Sequence, residues 1–116
     1  MIHKTIHFEK IKENIEFYVG ENAEENQHIV LNADPEDLWF HLADKSSPHV
    51  LAMISDKNVD RKYLRLIVVQ GSLLCKQNSK CKSDKKVDII YTKMKNVIST
   101  ETVGSVQTTN IKHIII

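Results

Sequence analysis

Asp37-Leu38-Trp39-Phe40-His41-Leu42, Ala43-Asp44-Lys45-Ser46-Ser47-Pro48 and His49-Val50-Leu51-Ala52-Met53-Ile54 decide how this chain folds. A run of aromatic and aliphatic residues, a polar segment ending in Ser-Ser-Pro, and a second apolar run read as an antiparallel hairpin. Successive strand residues point to opposite faces, so Trp39 and Phe40 are expected to part company. Trp39 is assigned to the core and its neighbour to an edge of the sheet.

On the N-terminal side, Ile2 and Thr5 to Phe8 alternate, Glu9 to Asn14 interrupts, and Ile15 to Val19 resumes with a period near two. That spacing predicts two strands ended by Gly20. Asn22 or Glu21 then caps a short helix over Ala23 to Leu31, with Ala23, Gln27 and Val30 on one side. Asp34-Pro35 stops it, because proline disfavours helical geometry in the residue before it. Beyond the hairpin, Asp60 opens the longest helix, Arg61 to Cys75, with Tyr63, Leu66, Ile67, Leu73 and Leu74 as core residues. Gly71 weakens its last turn by about 1 kcal/mol relative to alanine, and Val68-Val69 needs burial to stay helical. Lys76 to Lys86 reads as loop or helix end. Val87 to Tyr91 and Val97-Ile98 read as strands, followed by Val103 to Val106, a turn at Thr109-Asn110, and Ile111 to Ile116. The order predicts one α+β domain over residues 1–116, a mostly antiparallel sheet with two helices packed on it.

A chain of 116 residues has room for one core, and its apolar runs are too short for a bilayer span. The start lacks the apolar core of a secretory signal, so a soluble, cytoplasmic protein is expected. Cys75 and Cys81 are read as free thiols, one on a helix and one near a turn. The net charge of +1 conceals a split. Residues 1–60 carry five Lys/Arg against twelve Asp/Glu, a balance of −7; residues 61–116 carry eleven against three, a balance of +8. Such asymmetry points to a polyanion partner unless folding mixes the halves.

Six histidines raise the question of a metal, but neither His-Glu-x-x-His nor Cys-x-x-Cys is present. No metal or other cofactor is expected. Ser46 and Ser47 lie near His41, Asp44 and His49, yet the Gly-x-Ser-x-Gly elbow of hydrolases is absent. The three glycines, at 20, 71 and 104, make no phosphate loop. No enzymatic activity is expected. From Lys76 to Lys95, seven lysines face only Asp84 and Asp88. Lysines placed this way neutralise phosphates, and Tyr91 among them, with Tyr18, Trp39 and Phe40, offers stacking surfaces if exposed.

Gly20-Glu21-Asn22-Ala23-Glu24-Glu25-Asn26 resembles the Gly-x-Asn-Ala-x-x-Asn signature of the NFACT-R domain. The Asp37 to His49-Val50 stretch resembles that family's Asp-x-Trp-Phe-His strand and Ser-x-His-Val return. Val87-Asp88-Ile89-Ile90-Tyr91-Thr92, with Lys93, Lys95, Asn96 and Val97, is similar to its third block, and Gly104-x-Val106 to its closing Gly-x-Val. The blocks occur in order from about Tyr18 to the C-terminus. The resemblance implies a domain that in large ribosome quality-control factors contacts RNA, including tRNA. A shorter branch carries it alone or with a coiled-coil tail, and DNA sensing has been proposed there. This chain is read as a stand-alone form. Glu21 departs from the family, which carries a basic residue there, so the Lys76–Lys95 segment becomes the expected contact surface.

The expectation is therefore nucleic-acid binding: RNA, as tRNA or ribosomal RNA, with DNA as the alternative polyanion. Lys80, Lys82, Lys85, Lys93 and Lys95 would meet phosphates, while His41, Ser47 and His49 shape an adjacent pocket, since neutral His and Ser hydrogen-bond bases or sugar hydroxyls. The same hairpin has a purely structural reading, with Asp44 and Ser46 satisfying the turn and His49 bonding the backbone. Two rivals make distinct demands. A protein-interaction module requires an exposed apolar patch near Ile114-Ile115-Ile116 with no basic face beside it. A small enzyme acting on nucleic acid requires His41, His49 and Asp44 to converge within hydrogen-bond reach.

Overall fold

A computed structural model describes all 116 residues. The N-terminal alternation forms the hairpin β1 (Ile2–Phe8) and β2 (Glu13–Gly20), followed by α1 (Ala23–Asn32). The Trp-Phe-His segment is β3 (Leu38–Leu42) and its return is β4 (His49–Met53). A single 3-10 turn, Arg61–Tyr63, leads into α2 (Leu64–Gln77). β5 (Asp88–Lys93), a second 3-10 turn, β6 (Val97–Ser99), β7 (Val106–Thr108) and β8 (Lys112–Ile115) complete the chain. Six strands form one sheet in the order β1-β2-β4-β3-β5-β8, every neighbouring pair antiparallel; β6 and β7 pair separately. The fold is α+β, as the order of elements predicted. No helix is long and apolar enough to cross a membrane.

The sheet is covered on both faces, and this changes the reading of Trp39 and Phe40. Leu38, Phe40 and Leu42 face α2 and join a core with Phe17, Val50, Ile67 and Leu74. Trp39 faces the other way, into a smaller cluster with Ile29 of α1, Leu51, Ile90, Met94 and Val97 of β6. Both aromatics are buried, so neither covers an edge. The signal for the second layer was weak: β6 and β7 are three residues each.

α2 also differs from the expectation at both ends, opening as the 3-10 turn and running to Gln77. Its buried stripe is Ile67, Val68, Gly71, Leu74 and Cys75, at i, i+1, i+4, i+7 and i+8. Leu66 falls outside that stripe and is 41% exposed, while Val68 takes the core place. Gly71 lies in the stripe for a steric reason: a Cβ there would come within 2.4 Å of the Phe40 ring. Both cysteines are free and buried.

Candidate nucleic-acid interface

β3 and β4 keep register for three pairs, Leu38↔Ala52, Trp39↔Leu51 and Phe40↔Val50, and then part. The parting leaves His41 and His49 beside each other, ring centroids 5.2 Å apart and nearly perpendicular. Trp39 holds both. It stacks on His41 at 5.4 Å, and its Nε1–H donates to His49 Nδ1 at 3.1 Å. An indole N–H only donates, so His49 Nδ1 must accept and the neutral ring carries its proton on Nε2. His41 Nδ1 lies 2.6 Å from the Leu42 carbonyl oxygen, which only accepts, so there the proton is on Nδ1 and Nε2 is the acceptor. Burial lowers the His41 pKa, and burial followed by the neighbouring His41 lowers that of His49 to about 3.

These shifts carry a pH prediction. An unfolded imidazole titrates near 6.5, so below that pH the unfolded chain binds protons the folded His49 refuses. Stability is full above about pH 6.5 and falls with acidification toward the folded pKa, at a rate near 1.4 kcal/mol per pH unit for a single such group. His41 has the same sign. Glu16, Glu25 and Glu36 are held below the usual carboxylate range by their hydrogen bonds, to Thr5, the N-terminal amine and Lys93 first, and cost stability only at more acid pH. The exposed His7 is shifted up by Glu9 and acts weakly in the opposite sense. Denaturant unfolding at pH 6.5 and pH 5 should therefore show a loss of about 2 kcal/mol. In His49→Asn, whose Oδ1 can replace Nδ1 as acceptor for Trp39, most of that loss should disappear, leaving only what His41 contributes. An equal loss in both proteins would mean that His49 is not the sensor.

The backbone around this pair is clasped from a distance. His49 N–H donates to Asn26 Oδ1 at 3.1 Å, across 23 residues. Asn26 fits because residue 20 is glycine: a Cβ there would stand 2.2 Å from Asn26 Oδ1. Asn22 caps α1, accepting from Glu25 N–H at 2.9 Å. The Gly20-Asn22-Asn26 string is thus a close approach, a helix cap and a clasp for the hairpin. Ser47, rather than Ser46, satisfies the turn: its Oγ accepts from Leu42 N–H at 3.1 Å and donates to the Pro48 carbonyl at 2.8 Å. Cys75 Sγ lies 3.4 Å from the same oxygen, and burial pushes that thiol up to about 11.

His41, Ser47 and His49 line a cleft of about 540 Å³, together with the N-terminal end of α1, the segment Asn78-Ser79-Lys80 after α2, and the loop before β7. Gly104 N–H donates to Gln27 Oε1 at 3.1 Å, tying that loop to α1. Most of the lining side chains are polar, with Glu21 the one carboxylate and Lys80 the one ammonium among them, so the cleft offers several hydrogen-bonding groups. Sequence reasoning missed Asn26, Asn78 and Ser105 here. Each left only a trace: Asn26 ends the Gly-x-Asn-Ala-x-x-Asn string, Asn78 opens the Asn78-Ser79-Lys80 run before the Val87–Thr92 block, and Ser105 is the unspecified residue of Gly104-x-Val106.

The predicted lysines divide. Lys80 stands at the cleft, Lys82 is exposed in the following turn, and Lys85 lines a neighbouring hollow with Asp44, Lys45 and Lys86. None of the three makes an ion pair within the chain. Lys93 and Lys95 lie elsewhere. Lys93 pairs in register with Leu38, at the end of β3 away from His41, and both lysines bind Glu36, at 2.9 and 3.2 Å. The structure therefore brings His41, Ser47, His49 and Lys80 together and leaves Lys93 and Lys95 apart, partly neutralised.

Asp44 makes no hydrogen bond to either imidazole and lines the neighbouring hollow, and the Ser47 hydroxyl is engaged with the backbone. No three His, Cys, Asp or Glu side chains converge as a metal site would require. The three C-terminal isoleucines form no patch: Ile114 is buried opposite Ile89, while Ile115 is exposed on the other face.

Comparison with known proteins agrees with this architecture. The profile of the NFACT protein RNA binding domain matches residues 4–110. A coiled-coil domain-containing protein 25 homolog from Dictyostelium discoideum is 33% identical over 98 residues, 83% of this chain and 47% of that protein. Coiled-coil domain-containing protein 25 of Mus musculus is 29% identical over 85 residues, 72% of this chain and 40% of that protein. The chain thus spans less than half the length of these relatives. The C-terminal part of the fibronectin/fibrinogen-binding protein from Streptococcus suis shares the fold, with a TM-score of 0.79 at 17% identity, covering 100% of this chain and 45% of that one. With nearly its whole length matched and its signature residues accounted for by the fold, the chain belongs to the NFACT protein RNA binding domain (NFACT-R) family.

Proposed function

We propose that this chain binds RNA, with tRNA or ribosomal RNA in the cytoplasm as the partner class, and does so without catalysing a reaction. The observation that carries the reading is the cleft: hydrogen-bonding side chains on its walls, neutral but for Glu21, Lys80 lining it, and Lys82 and Lys85 beyond it with no ion pair inside the chain. Lysines without partners are free to displace counterions from phosphates, and the cleft walls offer donors and acceptors to the sugar or base that follows. Lys93 and Lys95 serve a second phosphate at the far end of β5, where an incoming strand must compete with Glu36.

Anisotropy titrations with tRNA, single-stranded RNA and duplex DNA across a salt series test this. Binding to RNA should weaken steeply with salt, with a log–log slope of about −2 to −3 if three lysines each meet one phosphate. Tighter binding to duplex DNA than to either RNA would reassign the partner. No binding to any of the three at low salt would remove the reading.

A further inference from the structure

The two imidazoles of the cleft carry opposite hydrogen-bonding characters at the same ring position, and neither is used inside the chain. His49 Nε2 bears a proton and His41 Nε2 bears a lone pair, because Trp39 and the Leu42 carbonyl occupy the two Nδ1 atoms. His49 is only 2% exposed. Even so, its Nε2 is not sealed: the one buried side-chain polar atom without a partner is Ser99 Oγ, so the unpartnered Nε2 atoms of both rings meet solvent at the cleft they line. An unsatisfied donor and acceptor, fixed in tautomer and orientation by buried neighbours, form a site prepared for one kind of guest.

We propose that His41 and His49 together read a ribose 2′-hydroxyl, accepting its proton at His41 Nε2 and donating to its oxygen from His49 Nε2. This rests on the RNA-binding reading above and names what the cleft recognises within it. A hydroxyl is the smallest group that accepts and donates through one atom, and the two rings that would share it stand next to each other, 5.2 Å between centroids and nearly perpendicular. A phosphate oxygen suits the pair poorly, since it has no proton for the His41 lone pair; Lys80 at the rim is the group suited to phosphate. Burial keeps both rings neutral near pH 7, which preserves this donor–acceptor polarity. The N-terminus of α1 is a poor competing anion site, because Asn22 caps Glu25 N–H and the first turn carries Glu24 and Glu25, with Glu21 just before it. The 2′-hydroxyl is also the group by which a protein tells RNA from DNA at one site.

The test uses one single-stranded sequence made three ways: with 2′-hydroxyl, 2′-fluoro and 2′-deoxy sugars. 2′-Fluoro sugars keep the RNA-like pucker but cannot donate. The unmodified protein should bind the hydroxyl form about five- to tenfold more tightly than the other two, the size expected for one or two well-formed hydrogen bonds. His41→Asn keeps a donor for the Leu42 carbonyl and removes the Nε2 acceptor. It should bring the ratio close to one while leaving the salt slope unchanged, since the lysines are untouched. Equal binding of hydroxyl and fluoro forms by the unmodified protein would overturn the hydroxyl site and leave RNA binding standing; this arm needs no variant to fold. A His41→Asn protein that kept the full preference would also overturn it. Failure to bind all three forms at low salt would instead remove the RNA-binding reading on which the site rests.

Discussion

Replacing Asp37 with alanine should cost this domain about 3–5 kcal/mol, the largest loss expected from any one polar side chain in it. Asp37 is completely buried and has no cation beside it. Its carboxylate is satisfied by backbone alone: Oδ1 accepts from Ile54 N–H and Ser55 N–H, both at 3.0 Å, and Oδ2 accepts from Asp34 N–H at 3.1 Å. Its own carbonyl accepts from Met94 N–H at 2.8 Å. One residue thus fastens the turn after α1, the exit of β4 and the exit of β5. Alanine leaves three N–H groups without their acceptors, whereas asparagine keeps an oxygen for Ile54 and Ser55 but turns an amide N–H toward Asp34. The asparagine variant should accordingly lose about 1–2 kcal/mol. In thermal melts the alanine variant should fall by roughly 12–20 °C, given about 4 °C per kcal/mol for a chain of 116 residues. A loss below about 1 kcal/mol in Asp37→Ala would show that the three contacts do not hold the fold.

The second large effect concerns Gly71, and here two principles point in opposite directions. Alanine in the middle of a helix is worth about 1 kcal/mol over glycine. At this position the added methyl would stand 2.4 Å from two atoms of the Phe40 ring, which is itself wholly buried and packed against Tyr91 at 6.0 Å between centroids. Overpacking of a fixed core costs about 1–3 kcal/mol or more, and the ring has nowhere to go, so the close approach should win. Gly71→Ala should therefore be destabilised by a net 1–3 kcal/mol or so. Combined with Phe40→Leu, it should lose less than the sum of the two single changes, because the smaller side chain vacates the space the methyl needs. A Gly71→Ala protein more stable than the original would mean that helix propensity dominates and the contact is slack.

The sequence carried the local structure well, and the reasons are specific. β1 and β2 have period-two patterns and the β3–β4 hairpin is a pair of apolar runs, all bounded by turn residues. α1 has a capping asparagine immediately before it, and the proline after it marks its end. What escaped was information held between distant positions. Gly71 registered as a weak helix residue because Phe40, which requires it, lies 31 residues earlier. Asp37 registered as the start of a strand because its partners at Ile54 and Ser55 come from the far end of the hairpin. Burial of both Trp39 and Phe40 depends on a second layer completed by two three-residue strands, too short to show a period.

The candidate site shows the same division. His41, Ser47, His49 and Lys80 share a cleft, as the Trp-Phe-His and Ser-x-His-Val strings implied for the first three. Counting charge along the chain joined Lys93 and Lys95 to Lys80, Lys82 and Lys85, but it could not register Glu36, which lies 57 residues before Lys93 and binds its ammonium. The five contact lysines expected from the sequence therefore fall in two regions in space, one without internal partners and one already paired.

That division supplies the most direct test of the account. RNA affinity would be measured across a salt series for the unmodified protein, for a Lys80→Glu, Lys82→Glu, Lys85→Glu triple variant, and for a Lys93→Glu, Lys95→Glu double variant. The account predicts that the triple variant loses at least about tenfold in affinity and most of the salt slope, roughly one unit of slope per lysine. The double variant should lose less, because Glu36 already offsets its lysines. A triple variant that bound RNA with undiminished affinity and slope would contradict the assignment of the interface to the cleft and its neighbouring turn.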